Sequence, residues 1–312
     1  MYKKTAFIFP GQGAQYVGMG KDFSVQFPLA RQTFEEADEL LGLSLSRLIF
    51  DGPEDELTLT KNSQIAIYVT SIAVLRVLKK EYAELSPDIC AGLSLGEYTA
   101  LTAAGFLPFS EGVKLVRQRG ELMHRASASH PGTMAAILGM EEKPLQEILE
   151  KENLSKEVWI ANLNCPGQIV ISGTKSGVGK AMTLLKDNGA KRAIELDVSG
   201  AFHSGLMQEA ELGLQQTIAQ TSFTESSIPI AMNVTGTFSC SIEEIRKNLL
   251  KQLTSPVRWQ KSVETMKEMG IEAFYEIGPG KTLQGMNRKI GLGSSTTSLE
   301  KAQDFEKLMV ER

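Results

Sequence analysis

At 312 residues the chain is longer than one ordinary core supports, so one large domain with an insertion, or two domains, is expected. Apolar residues at 42% and charged residues at 22% are globular proportions, which exclude a fibrous or disordered chain. With 33 Lys and Arg against 37 Asp and Glu, the net charge of -4 favours no nucleic acid partner.

After Lys3 and Lys4 an apolar run over 6–9 stops at Pro10, too short for a signal-peptide core, and no later stretch is long enough to span a bilayer. A strand is expected over 5–9, ended by Pro10-Gly11 and followed by a polar loop through Gln15. Helical spacing follows over 34–41 and 65–78, then a strand over 88–92 that runs into a helix over 95–104. Strands alternating with helices predict a mostly parallel sheet covered on both faces.

Between 127 and 132 the chain is small, polar and Pro/Gly-containing, which predicts a hinge. Beyond it the order is strand 133–138, helix 142–152, strands 158–163 and 168–172, helix 178–188 and strand 191–196, the split β-α-β arrangement of ferredoxin-like folds. A helix over 206–218 and strands over 228–232 and 273–277 then return to the first sheet. The expected organisation is a discontinuous α/β domain, 1–127 and 198–312, carrying a small antiparallel domain over 128–197. Cys90, Cys165 and Cys240 are far apart and lack metal-ligand spacing, so neither a disulfide framework nor a zinc site is expected, and a reducing cytoplasm fits.

Gly92-Leu93-Ser94-Leu95-Gly96 has the pattern G-x-S-x-G between a predicted strand and a predicted helix. The pattern alone is weak, and a glycine-flanked turn with an inert serine would look the same. In this context, however, the turn lifts Ser94 out of the sheet, and the helix start offers the Leu95 N–H to an oxyanion. A serine hydroxyl needs a base. Of three histidines, His124 has polar or small helical neighbours and should be solvated, His130 lies in the hinge, and His203 stands where the chain re-enters the main domain. Elimination leaves His203, with an imidazole expected to titrate near about 6.5.

Ser110-Glu111 opens a helix expected to run to about 126, with Ser110 as N-cap. Leu115, Val116, Leu122 and Met123 share one face with Arg119, whereas Arg117 should face water. An arginine on an apolar face needs an anion. That anion is either an internal Asp or Glu or a substrate carboxylate.

Taken together, the segments Phe9-Pro10-Gly11-Gln12-Gly13-Ala14-Gln15, Gly92-Leu93-Ser94-Leu95-Gly96-Glu97-Tyr98, Arg119-Gly120, Asn164-Cys165-Pro166-Gly167-Gln168, Ala201-Phe202-His203-Ser204 and Glu276-Ile277-Gly278-Pro279-Gly280 resemble those of malonyl-CoA:acyl carrier protein transacylases, over nearly the whole chain. The resemblance implies an α/β-hydrolase-like large domain with an inserted ferredoxin-like small domain. It implies Ser94 as nucleophile, His203 as base, an oxyanion hole from the N–H groups of Gln12 and Leu95, and Arg119 on the malonyl carboxylate. Gln252 matches the position whose backbone carbonyl orients the histidine, and Gln64 a glutamine that lines the pocket. The implied partners are malonyl-CoA and an acidic acyl carrier protein, with no cofactor and a monomeric chain. Lys281, Arg288 and Lys289 are then either carrier contacts or a solvated face. One departure is Leu93, where the family usually has histidine; Phe202 and Leu95 resemble the malonyl-selective branch.

Three rival activities share parts of these motifs. A serine esterase or thioesterase would use Gly92 to Gly96 equally well, although Arg119 speaks for a carboxylate-bearing acyl group. An acyltransferase serving a polyketide synthase would share every residue named. A phosphate-binding role for Gly11 to Gly13 lacks the Lys-Ser/Thr ending of a P-loop.

Overall fold

The computed structural model describes residues 3–291 and 295–310. Its larger sheet contains β1 (Thr5–Phe9), β2 (Ile89–Gly92), the short β7 (Ile230–Ala231) and β8 (Phe238–Ser239), β9 (Ala273–Ile277) and β10 (Ser295–Leu299). Their order is β10-β9-β1-β2-β7-β8, with every pairing parallel except β7 with β8. All residues of β1, β2 and β9 are buried, as expected of strands covered on both faces, and this is why 5–9 reads as an unbroken apolar run.

The smaller sheet contains β3 (Gly132–Leu138), β4 (Val158–Cys165), β5 (Gln168–Thr174) and β6 (Arg192–Glu195), in the order β4-β5-β3-β6 and antiparallel throughout. Helices Glu142–Lys151 and Lys175–Asp187 cover it, and Ile137, Leu145, Ile171, Val178 and Leu185 form its own core. The architecture is therefore an α/β-hydrolase-like sheet carrying a ferredoxin-like unit. A further link ties the two: Val257 bonds on both sides to β4, its N–H to Ala161 O at 2.8 Å and its carbonyl to Leu163 N at 2.9 Å.

Several local expectations are corrected. The helix expected from Ser110 spans Phe109–Ser129 and starts after Pro108, so Ser110 lies inside it. Ser127 is in its last turn and not in a hinge loop. Its hydroxyl donates to Met123 O at 2.8 Å, which returns the polar side chain to the helix instead of breaking it. Likewise Arg117 does not simply face water: it is half-buried, with Nε donating to Glu121 at 2.8 Å and Nη1 reaching Lys61 O and Asn62. The helix expected over 65–78 extends to Thr60–Glu81 and buries all its faces through the middle. It packs between the sheet and the Phe109–Ser129 helix, which sets the depth at which Arg119 sits.

Candidate active site

Two chain segments leave the C-terminal ends of adjacent strands and meet: Pro10-Gly11-Gln12 after β1, and Leu93-Ser94-Leu95 after β2. Their closeness explains the glycines. A Cβ on Gly92 would fall 1.9 Å from Gly96 C, one on Gly96 2.2 Å from Phe9 O, and one on Gly11 2.4 Å from Leu93 O. Ser94 itself is held at φ 53°, a strained value for a residue with a side chain. Asn233 braces this turn from outside: its Oδ1 accepts the Ser94 N–H and its Nδ2 donates to Gly92 O, both at 2.7 Å. Leu93 packs against the buried apolar cluster that contains Ile8, Trp259 and Leu283, and lines the cleft.

His203, also at positive φ (58°), is buried and places Nε2 2.8 Å from Ser94 Oγ. Its Nδ1 lies 2.7 Å from the backbone carbonyl of Gln252. A carbonyl can only accept, so Nδ1 carries the proton and Nε2 is free to accept from the Ser94 hydroxyl. Burial first, and then the nearby Arg119 charge, push the His203 pKa down to about 4, well below the value near 6.5 expected for a free imidazole. The ring is neutral at neutral pH. Elsewhere His124 is half-buried and its Nδ1 has no hydrogen-bond partner among the described residues, while His130 is exposed, 3.8 Å from Glu209.

Arg119 is 1% exposed. Its Nη1 donates to Gln64 Oε1, and its Nη2 donates to Gln252 Oε1 at 2.8 Å and to Ser94 Oγ at 3.1 Å. The guanidinium carbon stands 5.2 Å from the Tyr98 ring centre. None of these partners is a carboxylate, so the internal ion pair, one of the two expectations for this residue, is not what holds it. Its Nε is buried without a hydrogen-bond partner among the described residues, and burial lowers its pKa. A buried cation held by neutral groups alone is set to receive an anion.

The N–H groups of Gln12 and Leu95 make no hydrogen bond among the described residues. The Gln12 side chain donates to Thr60 Oγ1 at 3.2 Å. Gln64 and Gln252 are fully buried and stand behind Arg119; neither lines the cleft, although a pocket-lining place was expected of Gln64. That cleft, of about 460 Å³, opens between the two sheets over Ser94 and His203, with Gln12, Asn162, Phe202 and Met286 on its walls.

Two residues of this site had no place in the sequence argument. Glu97, fully buried, accepts the Asn233 N–H at 2.6 Å on Oε1 and the Gln252 side-chain amide on Oε2. Burial raises its pKa to about 8 against the pull of the Asn233 N–H, Arg119 and Gln252. Leu93, Ala100 and Leu101, one helical turn away, marked it as a carboxylate on an apolar face. Asn233 gave no such mark, since it follows a strand of two residues and reaches the elbow only through the tertiary fold.

Residues 6–303 match the model of the acyl transferase domain family. The malonyl CoA-acyl carrier protein transacylase of Bacillus subtilis is 46% identical over 304 residues, covering 97% of this chain and 95% of the relative. That of Escherichia coli K12 is 40% identical, covering 91% and 92%. Among solved structures, a malonyl-transacylase in complex with its type II PKS acyl-carrier protein superimposes with a TM-score of 0.95 at 36% identity, covering 99% of this chain and all of the other. With the serine turn and the histidine on one cleft, and the buried arginine bonded to Ser94 from behind it, this chain belongs to the acyl transferase domain family and, within it, to the malonyl CoA-acyl carrier protein transacylases.

Proposed function

We propose that the chain moves the malonyl group from malonyl-CoA to the phosphopantetheine thiol of an acyl carrier protein, holding it as an ester on Ser94, and so supplies fatty acid synthesis. The observation that carries this reading is that one hydroxyl, Ser94 Oγ, is bonded both to a neutral histidine at 2.8 Å and to a buried arginine at 3.1 Å. The histidine suits a nucleophile, and the arginine suits an acyl group ending in a carboxylate.

In the first half-reaction His203 Nε2 takes the Ser94 proton as Oγ attacks the thioester carbonyl. The N–H groups of Gln12 and Leu95 receive the oxyanion, and Arg119 receives the malonyl carboxylate. Collapse breaks the carbon–sulfur bond, and the imidazolium returns its proton to the CoA sulfur. The carrier thiol then gives its proton to His203, attacks the malonyl-Ser94 ester, and releases Ser94, which regains the proton. The cycle is balanced by these groups, so it calls for no cofactor. Gln252 holds the His203 tautomer through its carbonyl, in the place where a hydrolase has an acid; its side chain and Gln64 support Arg119.

Lys281, Arg288 and Lys289 are exposed on and beside the helix Thr282–Lys289, whose Thr282 and Met286 line the cleft, and we assign this face to the acidic carrier protein. We take the chain to act as a monomer in the cytoplasm. The three most exposed large apolar side chains among the described residues, Val25, Leu212 and Phe238, lie on separate elements, and Cys90, Cys165 and Cys240 are free thiols. No helix among the described residues is long and apolar enough to cross a membrane. A polyketide carrier protein is a second reading, favoured by the likeness to the transacylase solved with a type II PKS acyl-carrier protein. Transfer rates from malonyl-CoA to a fatty acid carrier and to a polyketide carrier decide between them. Release of malonate to water, with neither carrier accepting it, would instead identify a thioesterase.

A further inference from the structure

Glu97 lies in the first turn of the helix Gly96–Ala104, has no exposed surface, and takes no part in the relay of Ser94 and His203. Both its oxygens are acceptors, one for Asn233 N–H and one for Gln252 Nε2. The same Gln252 nitrogen also donates to Ser94 O at 2.9 Å, so both its protons go to fixed oxygens. Its amide oxygen is left to face Arg119 Nη2 at 2.8 Å.

We propose that Glu97 is a positioning residue for acyl selection: by holding the Gln252 amide nitrogen it turns the amide oxygen onto Arg119 and aims the guanidinium at the place beside Ser94 where the malonyl carboxylate binds. The inference rests on the assignment of Arg119 as carboxylate binder. If the amide turned over, its oxygen would meet Ser94 O, its NH2 would meet the guanidinium, and the hold on Glu97 Oε2 would be lost. Acceptors would then face acceptors and donors face donors. Gln64, on the other side of the guanidinium, has among the described residues only the Met123 sulfur for its nitrogen, at 3.3 Å, and sulfur is a weak acceptor. Gln252 is the firmer of the two holds, and Glu97 is what makes it firm. Standing one amide away, the carboxyl group also leaves the arginine's own anion place empty for substrate.

The test is single-turnover acylation of Ser94 by malonyl-CoA and by acetyl-CoA in wild type, Glu97→Gln, Gln252→Leu and the double variant. In Glu97→Gln the new amide keeps an oxygen for Asn233 N–H but points its NH2 at Gln252, which turns the Gln252 amide over. The malonyl-to-acetyl ratio falls by about 10- to 100-fold, the range for one misdirected hydrogen bond to a charged group, mostly through the malonyl rate. Gln252→Leu shows the same selective loss, and also carries the test if Glu97→Gln does not fold. Because Glu97 acts through Gln252, adding Glu97→Gln to Gln252→Leu lowers the ratio by less than about threefold more. An unchanged ratio in Gln252→Leu, equal losses for both acyl groups, or independent losses that multiply in the double variant would overturn the inference. A wild type that forms no malonyl-Ser94 ester overturns the proposed function itself, an outcome distinct from an acylating enzyme whose ratio these variants leave alone.

Discussion

Arg119 Nη2 stands 3.1 Å from Ser94 Oγ, so the cation proposed to bind the acyl carboxylate and the oxygen proposed to take up the acyl group belong to one hydrogen-bonded unit. A malonyl group is only long enough to have its thioester carbonyl at Ser94 if its carboxylate ends close by. The spacing of Leu115, Val116, Leu122 and Met123 puts the arginine on a buried face, and the Thr60–Glu81 helix behind it supplies Gln64 to hold it there.

Arg119→Ala is therefore expected to act on acyl choice. Removing one partner of a shielded ion pair costs on the order of 2 to 5 kcal/mol, or roughly 10² to 10³-fold in malonyl transfer. Acetyl transfer, with no carboxylate to strand, stays level or rises. Arg119→Lys recovers part of the malonyl rate, because an ammonium lacks the planar fork. The ratio of malonyl to acetyl rates in the three proteins checks this, and a constant ratio would make Arg119 a structural residue.

As the proposed base, His203 is expected to set the acid limb of activity. The neutral ring is the proposed base, and its pKa is lowered to about 4 by burial and by Arg119, so acylation is expected to hold from neutral pH down through 6.5 and to fall only as pH approaches 4. Stability follows the same sign: the unfolded ring binds a proton below about 6.5 and the folded ring does not, so this group's contribution is full above that value and shrinks as pH falls toward 4. Pre-steady-state acylation between pH 4 and 8 is the measurement. A midpoint near 6.5 would mean that the ring is not desolvated as the structure has it.

Gly96→Ala tests the elbow. The added Cβ would sit 2.2 Å from Phe9 O, a backbone atom in the central strand that cannot give way cheaply. We expect a loss of at least about 1 to 3 kcal/mol in urea unfolding, accompanied by loss of transfer. Gly179, with nothing within 4 Å of an added Cβ, is the control: in the middle of the Lys175–Asp187 helix, Gly179→Ala should stabilise the protein slightly.

Much of this was legible in the sequence because it depends on local pattern. The unbroken apolar run of β1, the strand-turn-helix setting of Ser94, and the helical spacing around Arg119 all lie within a few residues of each other. The βαββαβ order of the small sheet was legible for the same reason. Other features depend on the assembled fold. The Gln252 carbonyl meets His203 across 49 residues, and Asn233 meets Ser94 across 139. The lowered pKa of His203, which sits in a turn, comes from burial and from the Arg119 charge on the Phe109–Ser129 helix, neither of which its own neighbours reveal, so it falls below the free-imidazole value expected from the sequence. Helices Ile242–Lys251 and Trp259–Glu268 were not anticipated, although their spacing is amphipathic, and β8 is too short to leave a pattern.

The central claim is that Ser94 carries the malonyl group. Intact-protein mass spectrometry after brief incubation with malonyl-CoA, followed by peptide mapping, tests it directly. The account predicts one malonyl adduct per chain, mapped to Ser94, discharged by carrier protein thiol and absent from a folded Ser94→Ala variant. An adduct that persists in Ser94→Ala, or that maps to another residue, would contradict it.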